Sequence, residues 1–156
     1  MAAMRILVVC LALLLAAGCG SDLETEQETR QAAFQESMRN VVLEGFFTVL
    51  REGEEPKPRP ERYEIEKAVH VAGDLWTIHA RIQYGEHDVT VPVPVKVLWA
   101  DDTPMISLTD ATIPGLGTFS ARIVFFRDSY AGMWSHGEGG GSQFGRILRQ
   151  QAVRQD

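Results

Sequence analysis

The sequence predicts a mainly β domain, an antiparallel up-and-down meander of about eight strands that forms a barrel or a strongly curved sheet. Three observations lead to this prediction. Apolar residues alternate with polar residues from Val41 onward, short turn signals separate the alternating runs, and no interval is long enough for a crossover helix. A β-sandwich is the alternative, because alternation alone does not distinguish a closed barrel from two stacked sheets.

An uncharged apolar run over residues 6–17 follows Arg5 near the start of the chain. The run is about a dozen residues long, which is the length of a signal-peptide core and too short to cross a bilayer as a helix. It ends in small residues that precede Cys19, and the composition then turns polar. The pattern predicts a signal peptide over residues 1–18.

This segment resembles a bacterial lipoprotein signal, in which the peptide is cut before the cysteine and the sulfur is lipidated. The resemblance implies that Cys19 carries acyl chains of the palmitate type and that the lipid bilayer is a partner. Cys10 would be lost with the signal, so no intramolecular disulfide is expected. In a Gram-negative host, Gly20 implies delivery to the outer membrane, facing the periplasm. An ordinary cleaved secretion signal is the alternative.

The remaining chain is long enough for one domain. The formal net charge of the whole sequence is −6, and no block of lysines or arginines forms a basic patch, so nucleic acid is not an expected partner. Residues 19–40 are rich in acidic side chains and predict a solvated tether behind the lipidated cysteine. The alternative for this segment is a short helix whose Phe34 and Met38 face lies on the domain.

Eight candidate strands follow within residues 41–149, and residues 150–156 form a polar tail. Alternation assigns one side of each of the first six strands to the interior. The expected interior residues are, in order, Val41, Leu43, Gly45, Phe47 and Val49; Tyr63, Ile65, Val69 and Val71; Trp76, Ile78, Ala80, Ile82 and Tyr84; Val89, Val91, Val93, Val95, Val97 and Trp99; Ile106 and Leu108; Phe119, Ala121, Ile123 and Phe125. Residues 130–135 and 144–148 provide the last two strands.

Two prolines, Pro92 and Pro94, interrupt the fourth strand. Residues two apart in a strand direct their N–H groups to the same side, so the pair removes adjacent donors toward one neighbour. We therefore expect a gap or splay at this point instead of a fully regular closed barrel. Such a gap would be either a ligand entrance or a device against edge-to-edge aggregation.

Two further stretches, residues 109–119 and 130–147, are expected to contain loops. Their sequences resemble a family of small exported bacterial β-rich proteins of unassigned activity, which supplies no catalytic residues to transfer. The Tyr-x-Gly-x-Trp-Ser segment over residues 130–135 is also similar to strands of avidin-type and lipocalin-type barrels. That similarity implies a lipocalin-like barrel.

No motif predicts catalysis, a metal site or a cofactor. Four histidines lack the spacing that places two metal ligands on one element: His70, His79, His87 and His136. The glycine cluster at residues 139–141 lacks the lysine of a phosphate-binding loop, and no nucleophile elbow is present. We therefore expect a protein that is not an enzyme.

Two functional classes remain. In the first, the protein is a membrane-anchored lipoprotein that acts as a non-enzymatic interaction or structural module and contacts an envelope protein. In the second, it is a lipocalin-like binder of a small apolar ligand. The candidate lining residues of that second class are Trp76, Tyr84, Trp99 and Trp134. An internal cavity on the order of several hundred cubic ångströms would favour the binder, and a filled core would exclude it.

Overall fold

The computed structural model describes residues 23–149. The predicted signal peptide, Cys19 and the polar tail lie outside the described residues. Residues 23–37 form a helix, α1, and eight strands follow it. The strands are β1 (Val41–Phe47), β2 (Arg59–Ala72), β3 (Leu75–Tyr84), β4 (His87–Ala100), β5 (Thr103–Ile113), β6 (Gly117–Phe126), β7 (Ser129–His136) and β8 (Gly139–Arg149).

The strands form a closed antiparallel barrel. Each strand pairs with the next in sequence, and β8 pairs with β1 from Val41↔Arg149 to Phe47↔Gln143. This confirms the predicted up-and-down meander and excludes the sandwich. Short hairpins explain the order, because turns such as Gly73-Asp74 and Gly85-Glu86 join neighbouring strands with only two residues. Within residues 23–149, no helix has the length and apolarity needed to span a bilayer.

The helix α1 is divided between two compact units, with the boundary between Ala33 and Phe34. Its last turn belongs to the unit that contains the barrel, where Phe34 and Met38 are 2% and 4% exposed. Of the two predictions for this segment, the helix with a buried Phe34 and Met38 face is therefore the one observed. We call this end of the barrel the helix end and the opposite end, where Phe47 and Tyr84 lie, the far end.

The predicted interior face of β2 is wrong for the second half of the strand. The alternation of β2 assigned Val69 and Val71 to the interior, but they are 37% and 61% exposed, while Ala68 is buried. The cause is a β-bulge, since the pairing of β2 with β3 shifts register between Ile65 and Lys67. One extra residue reverses the face of every residue that follows it.

The two expected loop regions are mostly strand. Residues 109–119 contain the end of β5, a turn at residues 114–116 and the start of β6, and residues 130–147 are interrupted only by the turn at Gly137 and Glu138. The glycine cluster at residues 139–141 therefore lies in β8. At residue 140 glycine is required by close packing, because a Cβ atom on Gly140 would lie 2.9 Å from the carbonyl oxygen of Trp134.

The barrel wall is incomplete between β4 and β5. These strands pair only from Lys96↔Ser107 to Ala100↔Thr103, so the half of β4 before Lys96 is paired with β3 alone. Pro92 and Pro94 lie in this half, opposite His79 and Thr77 of β3. The splay predicted from the prolines is thus present, although the barrel closes at its other strand pairs.

Candidate ligand-binding cavity

The interior of the barrel contains a cavity of about 170 Å³. All eight strands contribute to its wall, and most of the lining side chains are apolar, including Leu43, Ile65, Ile82, Val93, Leu108 and Ile123. The cavity is smaller than the several hundred cubic ångströms expected for a ligand pocket, but the core is not filled by side chains. A cavity of this size and lining can hold a small apolar molecule.

Aromatic side chains form the wall toward the far end. The ring of Phe47 lies edge-on to Tyr84 at 5.9 Å and to Trp134 at 6.1 Å, measured between centroids. The indole Nε1 of Trp134 is buried and has no hydrogen-bond partner within the described part of the chain. The three rings therefore provide a rigid surface of large area, on which one donor group is unused.

Three of the polar side chains that line the cavity form one cluster, which we call the Glu61 cluster. The hydroxyl of Tyr63 donates a hydrogen bond of 2.8 Å to Glu61 Oε2, and the hydroxyl of Tyr130 donates one of 2.9 Å to Glu61 Oε1. Glu61 is only 4% exposed and Tyr130 only 2%. All three side chains line the cavity, so a carboxyl group is held inside the barrel by two phenols.

The strand register explains how Tyr130 reaches Glu61. Tyr130 on β7 pairs with Gly145 on β8, Gly145 pairs with Gly45 on β1, and Gly45 pairs with Glu61 on β2. Three strand spacings, roughly 14 Å along the wall, therefore separate the two residues. The Tyr130 ring can cross this distance only because both intervening residues are glycines. A Cβ atom would lie 2.7 Å from the Tyr130 hydroxyl at Gly45 and 2.6 Å from Tyr130 Cε1 at Gly145.

Burial controls the protonation of the Glu61 cluster. Desolvation raises the pKa of Glu61 above its ordinary value of 4.5, and the hydrogen bonds from Tyr63 and Tyr130 oppose this change. Desolvation, followed by the nearby carboxylate, raises the pKa of both tyrosines above the ordinary value of 10.0. Both phenols are therefore protonated donors at neutral pH. Among the described residues that line the cavity, none is a lysine, arginine or histidine.

The β5–β6 turn covers the gap between β4 and β5. Leu116 in this turn is buried and lines the cavity, and a Cβ atom on Gly115 would lie 3.4 Å from Val89 Cγ1 on β4. Side-chain and turn contacts, instead of ladder hydrogen bonds, therefore close this part of the wall. Separating these contacts breaks no hydrogen bonds of a β4–β5 ladder.

The four aromatic residues predicted to line a ligand site fall into two groups. Tyr84 and Trp134 line the cavity. Trp76 and Trp99 lie at the helix end, where their rings stand edge-on to Phe34 at 5.2 Å and 6.0 Å. Their position follows from the strand direction, because Trp76 is the second residue of β3 and Trp99 the second-last residue of β4. They contribute to the core and not to the cavity wall.

Sequence reasoning missed the Glu61 cluster. Glu61 lies in a charged stretch that includes Glu55, Lys57, Arg59 and Arg62, and it was not assigned to the interior. A signal was nevertheless present, because Glu61 has the same strand parity as Tyr63 and Ile65, both of which were assigned to the interior.

The histidines do not converge. His70 contacts Trp76, His87 contacts Tyr84 and His136 stacks on Phe119, with ring centroids 4.9, 4.8 and 4.4 Å apart. Over residues 23–149, no group of three or more His, Cys, Asp or Glu side chains is placed to hold a metal ion. Comparisons of the chain with protein-family models, with curated proteins and with solved structures gave no match.

Proposed function

We propose that the protein is an exported lipoprotein, anchored to the outer membrane through Cys19, whose barrel binds a small apolar ligand. The observation that carries the binding proposal is the apolar cavity of about 170 Å³. An engineered apolar cavity of about 150 Å³ in another protein remains dry and binds benzene, so the space suffices for a ligand of about one ring. Typical pockets for drug-sized ligands are larger, roughly 300–1,000 Å³.

A route to the cavity supports the same proposal. The contacts of Leu116 and Gly115 with the interior and with Val89 close the gap between β4 and β5 without strand hydrogen bonds. A ligand passes through this gap when the β5–β6 turn moves away from β4. Pro92 and Pro94 hinder strand pairing across the gap, because neither can donate a backbone hydrogen bond toward β5.

Filling the cavity from inside tests the binding proposal. Ala121 lines the cavity, whereas Ala131 is exposed on the outside of the neighbouring strand. We expect the wild-type protein and Ala131→Phe to bind propylbenzene with similar affinity and Ala121→Phe to bind at least about tenfold more weakly, as measured by calorimetry. Absence of saturable binding to the wild-type protein would defeat the proposal. Native mass spectrometry of the purified protein provides an independent search for a co-purified ligand.

The anchor is tested separately. Lipidation of Cys19 would give stable membrane attachment, since each buried methylene contributes about 0.8 kcal/mol and more than one acyl chain is present. We expect Cys19→Ser to move the protein from the membrane fraction to the soluble fraction. Continued membrane association of this variant would argue against the lipid anchor.

A second candidate function, an interaction module for an envelope protein, is favoured by the outer surface of the barrel. Phe46 on β1, Phe144 on β8, Ala131 on β7 and Val124 on β6 are successive partners in the strand register, and all four are exposed. The outer surface of β2, β3 and the start of β4 differs from this row because it carries ion pairs, such as Arg81 with an Asp88 oxygen at 2.7 Å. The apolar row is the expected contact surface.

Site-specific photo-crosslinking distinguishes this second function. A crosslinking residue in place of Phe144 should give one discrete adduct with an envelope protein in intact cells. The same residue in place of Arg81, on the charged side, is the control and should give none. Identical adduct patterns from the two positions would exclude a role for the apolar row.

A further inference from the structure

The Glu61 cluster places a carboxyl group inside the barrel, and no lysine, arginine or histidine is among the described residues that line the cavity. Two oxygens of the carboxylate can accept about four hydrogen bonds, and the structure fills two of these positions with Tyr63 and Tyr130. The remaining acceptor positions belong to a group that is 4% exposed. A buried charge is stable when it is paired with an opposite charge, so this group is suited to a cation from outside the chain.

We propose that the ligand is a small apolar amine, with its protonated amino group on Glu61 and its hydrocarbon part in the cavity. This inference rests on the proposed binding function. An ammonium group brings three N–H donors and a positive charge, whereas a neutral hydrocarbon would leave the carboxylate uncompensated. An anionic ligand would be repelled by Glu61.

The aromatic wall fits the same class of ligand. Tyr84 pairs with Glu61 in the strand register, and Phe47 lies edge-on to Tyr84. An amino group on Glu61 is therefore next to aromatic rings, whose faces attract cations and whose area is suited to an apolar ring or chain. The cavity limits the hydrocarbon part to about one ring.

Three probes of nearly equal shape test the proposal on the complete exported protein in nanodiscs of zwitterionic lipid, with empty nanodiscs as the background. The probes are phenethylamine, propylbenzene and 3-phenylpropanoate. We expect phenethylamine to bind the wild-type protein about tenfold or more tightly than propylbenzene, because a hydrogen bond to a charged group contributes about that much. We expect 3-phenylpropanoate to bind more weakly than either.

Glu61→Gln is the matched variant, since it keeps the shape of the side chain and removes its charge. Its preference for phenethylamine over propylbenzene should disappear, and urea denaturation verifies that the variant folds. The comparison of probes on the wild-type protein needs no variant to fold.

Each outcome has a definite meaning. Equal wild-type affinities for the amine and the hydrocarbon, or a preference for the amine that survives in Glu61→Gln, would overturn the amine proposal and leave the apolar binder intact. Tighter binding of 3-phenylpropanoate than of phenethylamine would also overturn the amine proposal. Failure of the wild-type protein to bind any of the three probes would overturn both proposals.

Discussion

Glu61 combines an ionisable carboxyl group with a buried position in the cavity wall. It is almost fully buried, its two oxygens accept hydrogen bonds from Tyr63 and Tyr130, and desolvation favours its neutral form. Such a group stabilises the native state only as far as its partners offset the cost of removing it from water. Its hydrogen bonds and its ionisation can therefore be tested separately.

Removing one donor should destabilise the protein. Tyr130→Phe deletes the hydrogen bond to Glu61 Oε1 and leaves the buried ring otherwise unchanged. We expect the free energy of unfolding to fall by about 1.5–3 kcal/mol at neutral pH, measured by urea denaturation, because the lost bond is to a charged group. Tyr84→Phe is the control, since the Tyr84 hydroxyl does not donate to Glu61, and it should change stability by less than about 0.5 kcal/mol. Equal losses in the two variants would contradict this role of Tyr130.

The ionisation of Glu61 predicts a pH dependence with a definite sign. Because burial raises the pKa of Glu61 in the folded state, the carboxyl group holds its proton to a higher pH in the folded protein than in the unfolded chain. Its contribution to stability is complete below the unfolded pKa and is lost as the pH rises through the folded pKa. Relative to Glu61→Gln, the wild-type protein should therefore lose stability as the pH rises from the ordinary value of 4.5 through the raised pKa of the folded state. A difference in unfolding free energy that is constant with pH, or that changes in the opposite direction, would contradict this prediction.

The candidate site was only partly predictable at the scale of single residues. Tyr84 and Trp134 could be assigned to the interior because large aromatic residues on an apolar strand face are usually buried. Glu61 could not be assigned by residue type, since isolated carboxylates are rarely buried. What makes its burial possible is the hydroxyl of Tyr130, which comes from a residue 69 positions away in the sequence. Such a long-range partner cannot be identified from one sequence.

At the scale of elements, one glycine in β1 and one in β8 leave the space through which the side chain of Tyr130 crosses these two strands. Gly45 and Gly145 are partners in the register, and the Tyr130 ring lies over both. The strands also bend closely here, because a Cβ atom on Gly45 would overlap the carbonyl oxygen of Phe144. The pair therefore serves the curvature of the barrel and the Glu61 cluster at the same time.

A methyl group at this position should be poorly tolerated. Gly145→Ala places a Cβ atom 2.6 Å from Tyr130 Cε1 and against the backbone of β1, so we expect a loss of about 1–3 kcal/mol or more in unfolding free energy. Gly139→Ala in the same strand is the control, because its nearest contact would be the His136 carbonyl oxygen at an ordinary 3.5 Å. Thermal and urea unfolding of both variants provide the measurement. Comparable stability of the two would show that Gly145 is not required.

Strand patterns in the sequence were reliable where the register is regular and failed where it shifts. The alternation predicted the interior face of β3 and β4 correctly, since their mutual pairing runs without a shift from Leu75↔Lys96 to Tyr84↔His87. The same reasoning failed for Val69 and Val71 because a bulge leaves no fixed sequence signature. The splay near Pro92 was predictable for a simple reason: proline cannot donate a backbone hydrogen bond, whatever its surroundings.

At the scale of the whole molecule, the two ends of the barrel differ in what fills them. Phe34 is packed among aromatic rings of the core at the helix end, where Trp76 is 1% exposed. The cavity begins beyond these rings and extends to Phe47, Tyr84 and Trp134 at the far end. The interior is thus a packed core at one end and a space available to a ligand toward the other, with the gap between β4 and β5 at its side.

Phe34 should therefore be essential to the stability of the whole barrel, although it lies outside the sheet. Its ring is 2% exposed and contacts Trp76, Trp99 and Phe125 with centroid distances of 5.2, 6.0 and 6.3 Å. We expect Phe34→Ala to lower the free energy of unfolding by about 3–5 kcal/mol, because it leaves a cavity among aromatic rings that cannot collapse around it. Urea denaturation followed by tryptophan fluorescence provides the measurement.

The same helix supplies the control for this prediction. Leu23 lies at its start and is 65% exposed, so Leu23→Ala should change the unfolding free energy by less than about 0.5 kcal/mol. If Phe34→Ala were as stable as Leu23→Ala, the helix end would be held by the strands alone. A large loss in Phe34→Ala, together with retained stability in Leu23→Ala, would mean that the Phe34 side chain is a structural part of the barrel core.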